Sequence, residues 1–364
     1  MSDFFNFDLV KPSKISGFTE IVNDFPEKQN DVIPCLEKIL NLGNTFHCLC
    51  EGSFIFSISR YVVKLIPVWE FSKDDTIYRK LFDLDLWPEK YCSEFAINLS
   101  LYCIYSDKSQ CAKLIRLRNI AKPFKVFHVD FKLENLYQRY YGFIFNKYES
   151  TFDEIDFSVW HYNFYDVYKS WGDQLLYSVS LLNSAKISHG DLKQVNLCLD
   201  YESGLLKIID FGNAESTTQD KNYMRNTFGW FTPVQAWFHA RKYDENIGKN
   251  EDKIAHKIEE LLIKKYNFEI EYINSDNYYI KENFIYNDRF AVALNLIFIY
   301  GWEYYFWMKG GYKRQIEYEV EVYKNVIEFL ESPETYIEEG LKRLNYNKYN
   351  VKIKEYLMYG IKPK

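Results

Sequence analysis

The chain has 364 residues, 47% of them hydrophobic, enough for one large domain or two lobes with a real core. A net charge of −6 and a pI of about 5.7 exclude a globally basic, nucleic-acid-binding surface. Seven cysteines, an odd number with no Cys-x-x-Cys pair, exclude a disulfide framework and point to a reduced interior.

No segment reaches the roughly 18 uninterrupted apolar residues of a membrane span. The start, MSDFFNFDLVKPSK, lacks the basic and apolar regions of a signal peptide. The expectation is a soluble protein, cytoplasmic or delivered to a host cytosol.

Residues 1–45 read as an N-terminal extension. In it Asp31 caps a short helix, Val32–Asn41, that Gly43 ends. Strand patterns dominate from 46 to 149. LCEGSFIFSI at 49–58 carries apolar residues on both sides of Glu51-Gly52, and RYVVKLI follows at 60–66. This predicts a hairpin and then a strand bearing Lys64, whose ammonium needs a partner among apolar neighbours. PEKYCSEFAINLSLYCIY at 88–105 is helical; Glu94, with Ile97, Asn98 and Leu101 on its face, is the chosen partner and Glu89 its competitor. KPFKVFHVDF and YQRYYGFIF flank a Leu-Glu-Asn turn and predict the fourth and fifth strands. Phe143–Glu149 then reads as the connector to the second lobe.

Residues 150–364 are mainly helical in pattern. Val167, Trp171, Leu175, Val179 and Leu182 mark an amphipathic helix that leads into ISHGDLKQVNLCLDYESGLLKIIDFGNA at 187–214. There, Leu197–Leu199 and Leu205–Ile209 are two short apolar runs joined by a turn, Asp200–Gly204. Such a hairpin brings Asp191, Asn196 and Asp210 to one end. Three oxygen donors and the Lys193 ammonium suit Mg²⁺ and a triphosphate. Residues 213–233 hold Thr217, Thr218, Tyr223 and Thr227. Residues 241–287 read as a charged insert with a helix, Asp252–Lys265, that turns Ile254, Ile258, Leu261 and Leu262 inward. Phe290–Tyr300 is a buried helix interrupted by Asn295. Two more helices follow, around Ile316–Leu330 and from Ser332-Pro333 onward.

His189-x-Asp191-x-Lys193-x-x-Asn196, followed by Asp210-Phe211-Gly212, resembles the catalytic and metal-binding loops of the eukaryotic-type protein kinases. The resemblance keeps the family order from residue 46 to 300. It implies an α+β, bilobal, protein-kinase-like fold: a small antiparallel-sheet lobe over 46–149 and a larger helical lobe over 150–364. It assigns Gly52, Ser53 and Phe54 to the phosphate loop, with Cys50 and Ile55 standing where the family has its first and last glycines. Lys64 would hold the α- and β-phosphates and pair with Glu94. Asp210 and Asn196 would ligand Mg²⁺, Asp191 would orient the attacking hydroxyl and take its proton, and Lys193 would neutralise the γ-phosphoryl. His189 would support the loop and Phe211 would pack between lobes.

The likeness continues downstream. TFGWFTP at 227–233 resembles the substrate-docking end of an activation segment, with Val234 in place of the anchoring Glu. NDRFAVAL at 287–294 resembles the opening of the central helix, Asp288 holding the catalytic loop and Phe290 and Ala293 standing for the family's Trp and Gly. Gly190 replaces the Arg that receives an activation-loop phosphate, which implies activity without phosphorylation of Thr217, Thr218 or Thr227. The pattern occurs a second time, through His128, Asp130, Lys132 and Asn135, but no Asp-Phe-Gly follows; that copy reads as a strand hairpin.

The function implied is ATP- and Mg²⁺-dependent phosphoryl transfer by a divergent Ser/Thr protein kinase. Its substrate would be a protein, a host or partner protein included, with no nucleic acid involved. Two alternatives stand beside it. One is a small-molecule phosphotransferase similar to aminoglycoside or choline kinases, which share the His-Gly-Asp-Leu phrase. The other is a pseudokinase scaffold, in keeping with the missing glycines and the missing Glu.

Overall fold

The computed structural model describes residues 54–58, 61–67, 98, 117–133, 136–155, 165–184, 187–216, 232–247, 251–272, 278–280, 283–300, 315–343 and 348–363. The chain divides into two compact units, Met1–Glu149 and Ser150–Lys364.

In the first unit, apolar alternation builds four strands: β1 (Phe54–Ile58), β2 (Tyr61–Pro67), β3 (Lys125–Leu133) and β4 (Leu136–Asn146). They form one antiparallel sheet in the order β1-β2-β4-β3. Registers Ile58↔Tyr61 and Leu133↔Leu136 make two hairpins, and Lys64↔Phe143 joins them through the central strands. Val63, Leu65, Ile66, Phe143 and Ile144 are buried. Four consecutive buried positions in β2, Val63 to Ile66 with Lys64 among them, mean that both faces of this strand are covered.

The expected connector begins later than its composition suggested. Phe143–Asn146 belongs to β4, because the ladder to β2 and the complete burial of Phe143 hold these residues in the sheet. The second His-Asp-Lys pattern lies in β3, with Asp130 opposite Arg139, and so it sits in a strand and not in a loop. The Val32–Asn41 helix, Gly52, Ser53, Glu89, Glu94 and Asn135 lie outside the described residues, as does the rest of 88–105 apart from Asn98, which is helical and buried.

The second unit starts with β5 (Ser150–Thr151), a 3-10 turn at Phe152–Glu154, and helix α1 (Tyr165–Ser184). On α1, Trp171, Leu175, Val179 and Leu182 are buried as a stripe, each contributing roughly 1.5–3 kcal/mol. Trp171 packs on Phe152 at 5.8 Å between ring centroids. Next come β6 (Ile187–Ser188), a 3-10 turn at Gln194–Asn196, β7 (Leu197–Asp200), β8 (Leu205–Ile208) and β9 (Glu215–Ser216). Helices α2 (Pro233–Ile247) and α3 (Glu251–Tyr266) precede a small hairpin of β10 (Ile270–Tyr272) and β11 (Tyr278–Ile280). Helices α4 (Phe284–Tyr300), α5 (Gln315–Glu331), α6 (Pro333–Arg343) and α7 (Asn350–Met358) complete the unit, with a last 3-10 turn at Tyr359–Ile361.

Helix α4 is the centre of this unit: every residue from Phe290 to Ile299 is buried. Within the stretch read as a charged insert, 241–287, α2 runs through Ile247 and α3 packs along it. On α3 the inward positions are Ala255, Ile258, Glu259 and Leu262, while Ile254 and Leu261 are only half-buried. The face is turned because the Trp237 indole N–H donates to Glu259 Oε2 at 3.1 Å and draws a carboxylate inward. Asn267, at φ 58°, closes α3 in the left-handed conformation, where the Phe268 N–H reaches back to the Leu262 carbonyl.

Two glycines let the C-terminal segment dock. A Cβ on Gly172 of α1 would lie 2.7 Å from the Tyr349 ring, whose hydroxyl donates to Asp173 Oδ1 at 2.6 Å. A Cβ on Gly360 would lie 2.5 Å from the Phe290 ring of α4. Among the described residues, no helix is long and apolar enough to cross a membrane. The architecture is thus a small sheet region followed by a larger, mainly helical region.

Candidate active site

Two loops carry the polar residues singled out from the sequence, and two strand pairs hold them together. The first loop leaves β6 at Ser188 and enters β7 at Leu197; the second leaves β8 at Ile208 and enters β9 at Glu215. Strand β7 pairs with β8 from Leu197↔Ile208 to Asp200↔Leu205, and β6 pairs with β9 through Ser188↔Glu215. Both ends of both loops are therefore tied. The turn between β7 and β8 follows from its residues: Asp200 accepts from the Ser203 N–H and hydroxyl, and Gly204 takes φ 65°. Gln174 of α1 fixes the hairpin by accepting the Leu206 N–H at 2.8 Å.

Within the first loop, Asp191 is buried and its Oδ2 lies 2.8 Å from Lys193 Nζ. Asn196 Nδ2 donates to the Asp191 carbonyl at 2.8 Å and approaches Asp191 Oδ2 at 3.4 Å. The backbone closes on itself through Lys193 N–H to the Asp191 carbonyl and Asn196 N–H to the Lys193 carbonyl. Gly190, at φ 77°, adopts a backbone that disfavours any side chain, which gives a local reason for glycine there.

The second loop meets the first through backbone and ring contacts. The Ile209 N–H donates to the Asn196 carbonyl at 3.0 Å, one residue before Asp210. His189 is fully buried: its Nδ1 accepts the Asp191 N–H at 3.3 Å and its Nε2 pairs with the Ile209 carbonyl at 2.9 Å. This pairing places the proton on Nε2. The His189 ring also lies against buried Phe211, 5.0 Å between centroids. His189 thus supports the loop, the role the resemblance implied. Asp210 takes φ 59°, a left-handed conformation that costs a non-glycine residue about 1 kcal/mol. Its Oδ1 accepts the Gly212 N–H at 3.2 Å.

Beneath both loops stands Asp288 of α4. Its Oδ2 accepts the His189 N–H at 2.8 Å and the Asn183 amide at 3.0 Å. Its Oδ1 accepts the Gly190 N–H and the Ser188 hydroxyl, both at 3.0 Å. Burial pushes this carboxyl above its ordinary value, and the N–H donors of Gly190, His189 and Asn183 pull against that. Asp288 holds the loop, as expected.

Sequence reasoning missed Asn183 and Ser188, which complete the shell of Asp288 and belong to no longer pattern. It also missed what secures the start of α2. Thr232 N–H donates to Gln235 Oε1 at 2.9 Å, and Gln235 N–H donates to Thr232 Oγ1 at 3.3 Å. That is a capping box with Pro233 in the first turn, and Thr-Pro-Val-Gln was its visible signal. At the position where the resemblance led to an expected Glu, Val234 is buried, and the capping box secures the start of α2.

The other sequence-derived residues lie in the first unit. Lys64 is buried in β2, and Phe54 begins β1. The donor set offered by the loops, the Asp210 carboxylate and the Asn196 side-chain oxygen, is the hard-oxygen type that suits Mg²⁺. With Asn196 Nδ2 committed to the Asp191 carbonyl, its oxygen is the atom left for a cation.

Residues 145–247 match the family model described as protein kinase domain. Over this part the chain is similar to the protein kinases, consistent with a divergent eukaryotic-type member. The kinase match takes in both loops, the β7–β8 hairpin and α2; Lys64 and Asp288 lie outside it. No curated protein matches the chain.

Proposed function

We propose that this protein is an ATP-dependent phosphotransferase, a divergent kinase with a bilobal fold that phosphorylates a hydroxyl group of a protein substrate. The observation that carries the reading is the hydrogen-bonded loop in which Asp191, Lys193 and Asn196 meet, bonded through Ile209 to the Asp210-Phe211-Gly212 turn.

In this reading Asp191 orients the acceptor hydroxyl and takes its proton, its pose fixed by the bonds on either side of it. Lys193, already on the Asp191 carboxylate, neutralises charge as the phosphoryl group moves. Asn196 and Asp210 would hold Mg²⁺, which when bound neutralises phosphate charge. In the first unit Lys64 is the proposed ammonium for the α- and β-phosphates, with Gly52, Ser53 and Phe54 in the phosphate loop and Glu94 as its carboxylate partner. Catalysis of this kind needs positioning and charge neutralisation more than covalent chemistry, which fits a loop whose backbone is tied at so many points.

A second reading has its own support: Gly190, at φ 77°, sits in the His-Gly-Asp-Leu phrase shared with small-molecule phosphotransferases. One assay separates the two. The purified chain is incubated with γ-labelled ATP and Mg²⁺, once with a protein mixture and once with a panel of aminoglycosides and amino alcohols. Label on protein, abolished by Lys64→Met, supports the first reading. Label on a small alcohol supports the second, and no label on either contradicts both.

A further inference from the structure

From Phe290 to Ile299 helix α4 is apolar apart from Asn295, which lies seven residues after Asp288 and so on the same face two turns on. Asp288 holds the donors at His189 and Gly190. Asn295 does the complementary thing: its Nδ2 donates to the Leu192 carbonyl at 3.0 Å and to the Ala291 carbonyl at 2.9 Å. Residues on both sides of Asp191 are thereby fixed to a single rigid helix, by an acceptor before it and a donor after it.

The energetics say that Asn295 is there for the loop. It is fully buried among apolar neighbours, and its Oδ1 has no hydrogen-bond partner. A buried amide with an orphaned oxygen costs on the order of 1–3 kcal/mol relative to a satisfied one. A leucine would fill the helix without that cost, but it would leave the Leu192 carbonyl, itself in a buried residue, without this donor. The helix therefore accepts a local penalty to satisfy a loop carbonyl next to Asp191. We propose that Asn295 is a positioning residue: with Asp288 it forms a two-point clamp that fixes the Asp191 carboxylate for transfer.

The role in transfer rests on the phosphotransferase reading, whereas the clamp itself does not, so the test has two arms. Asn295→Ser keeps a hydroxyl that can back-bond to the Ala291 carbonyl within the helix but is too short to reach Leu192. Asn295→Leu removes both bonds. The first arm is hydrogen exchange of the amides of residues 189–196 in the full chain, compared with those of α4. The clamp predicts exchange faster by about tenfold or more in the loop of Asn295→Ser, with α4 unchanged. Equal protection in variant and wild type overturns it.

The second arm is kinetic. In folded Asn295→Ser, kcat should fall by roughly 10- to 100-fold while the KM for ATP changes little, because a small misplacement of Asp191 affects the chemical step alone. Unchanged kcat, or a fall matched by a lowered melting temperature and relieved on cooling, leaves only a structural role and overturns the proposal. If wild type transfers nothing, the phosphotransferase reading fails and the exchange arm still decides the clamp. Should Asn295→Leu not fold, Asn295→Ser carries both arms alone.

Discussion

Asp288 Oδ1 accepts the Gly190 N–H at 3.0 Å, so a carboxylate in the central helix α4 holds the backbone one residue before Asp191. The same carboxylate takes the His189 N–H, so one side chain satisfies both backbone donors. The loop's shape is therefore written partly in a helix about a hundred residues further along the chain.

Replacing Asp288 by Ala should strand two buried backbone N–H groups and the Ser188 hydroxyl. The expected loss is about 3 kcal/mol or more, read as a lowered urea midpoint, together with loss of transfer. Asp288→Asn keeps one acceptor oxygen and should fall between the two. A variant with Ala as stable as wild type would mean that the loop does not depend on this anchor.

The two glycines at 204 and 360 give a contrast between strain and crowding. Gly204 has φ 65° but no atom within 4 Å of an added Cβ, so Gly204→Ala should cost only backbone strain, about 1 kcal/mol. At Gly360 an added Cβ meets the Phe290 ring at 2.5 Å and Pro233 at 3.1 Å. Gly360→Ala should cost about 1–3 kcal/mol and expose the C-terminal turn to protease. Thermal melts and limited proteolysis check the pair; early cleavage in Gly204→Ala and none in Gly360→Ala would reverse the argument.

Buried Cys198 on β7 has its thiol pushed up to about 12 by desolvation and, secondarily, by Glu154 and Asp153. A group so far from its thiolate form should resist alkylation at pH 8 in the native protein and label fully in denaturant. Peptide mapping after iodoacetamide treatment reads this directly. Rapid native labelling at Cys198 would contradict the burial of its thiol on β7.

Much of this was legible from local pattern. Leu197–Leu199 and Leu205–Ile209 flanked a turn of Asp, Ser and Gly, and the β7–β8 hairpin with its Asp200–Ser203 bonds followed. The stripe Trp171, Leu175, Val179 and Leu182 gave α1 because period and burial agreed. What escaped was long-range or depended on a neighbour. Phe143 reads as linker until Lys64 and its strand are set beside it. By spacing alone Leu261 reads as inward as Leu262, until Trp237 draws Glu259 into the core. Asn295 looks like an interruption of an apolar run, and only the Leu192 carbonyl gives it a purpose. Residues such as Asn183 carry no spacing signal, since their partner is distant in sequence.

The central claim is that Asp191 and Asp210 do different work in one phosphoryl-transfer site. Isothermal titration with ATP and Mg²⁺, run beside a transfer assay on wild type, Asp191→Asn, Asp210→Asn and the control Asp130→Asn, tests it most directly. Asp191→Asn keeps shape but cannot take a proton, so nucleotide affinity should persist while turnover falls by orders of magnitude. Asp210→Asn removes a hard anionic ligand, so Mg²⁺-dependent affinity and transfer should fall together. Asp130→Asn, in strand β3, should leave both near wild type. If Asp210→Asn binds Mg²⁺ and ATP as tightly as wild type, or if Asp191→Asn turns over normally, the assignment of the two loops is contradicted.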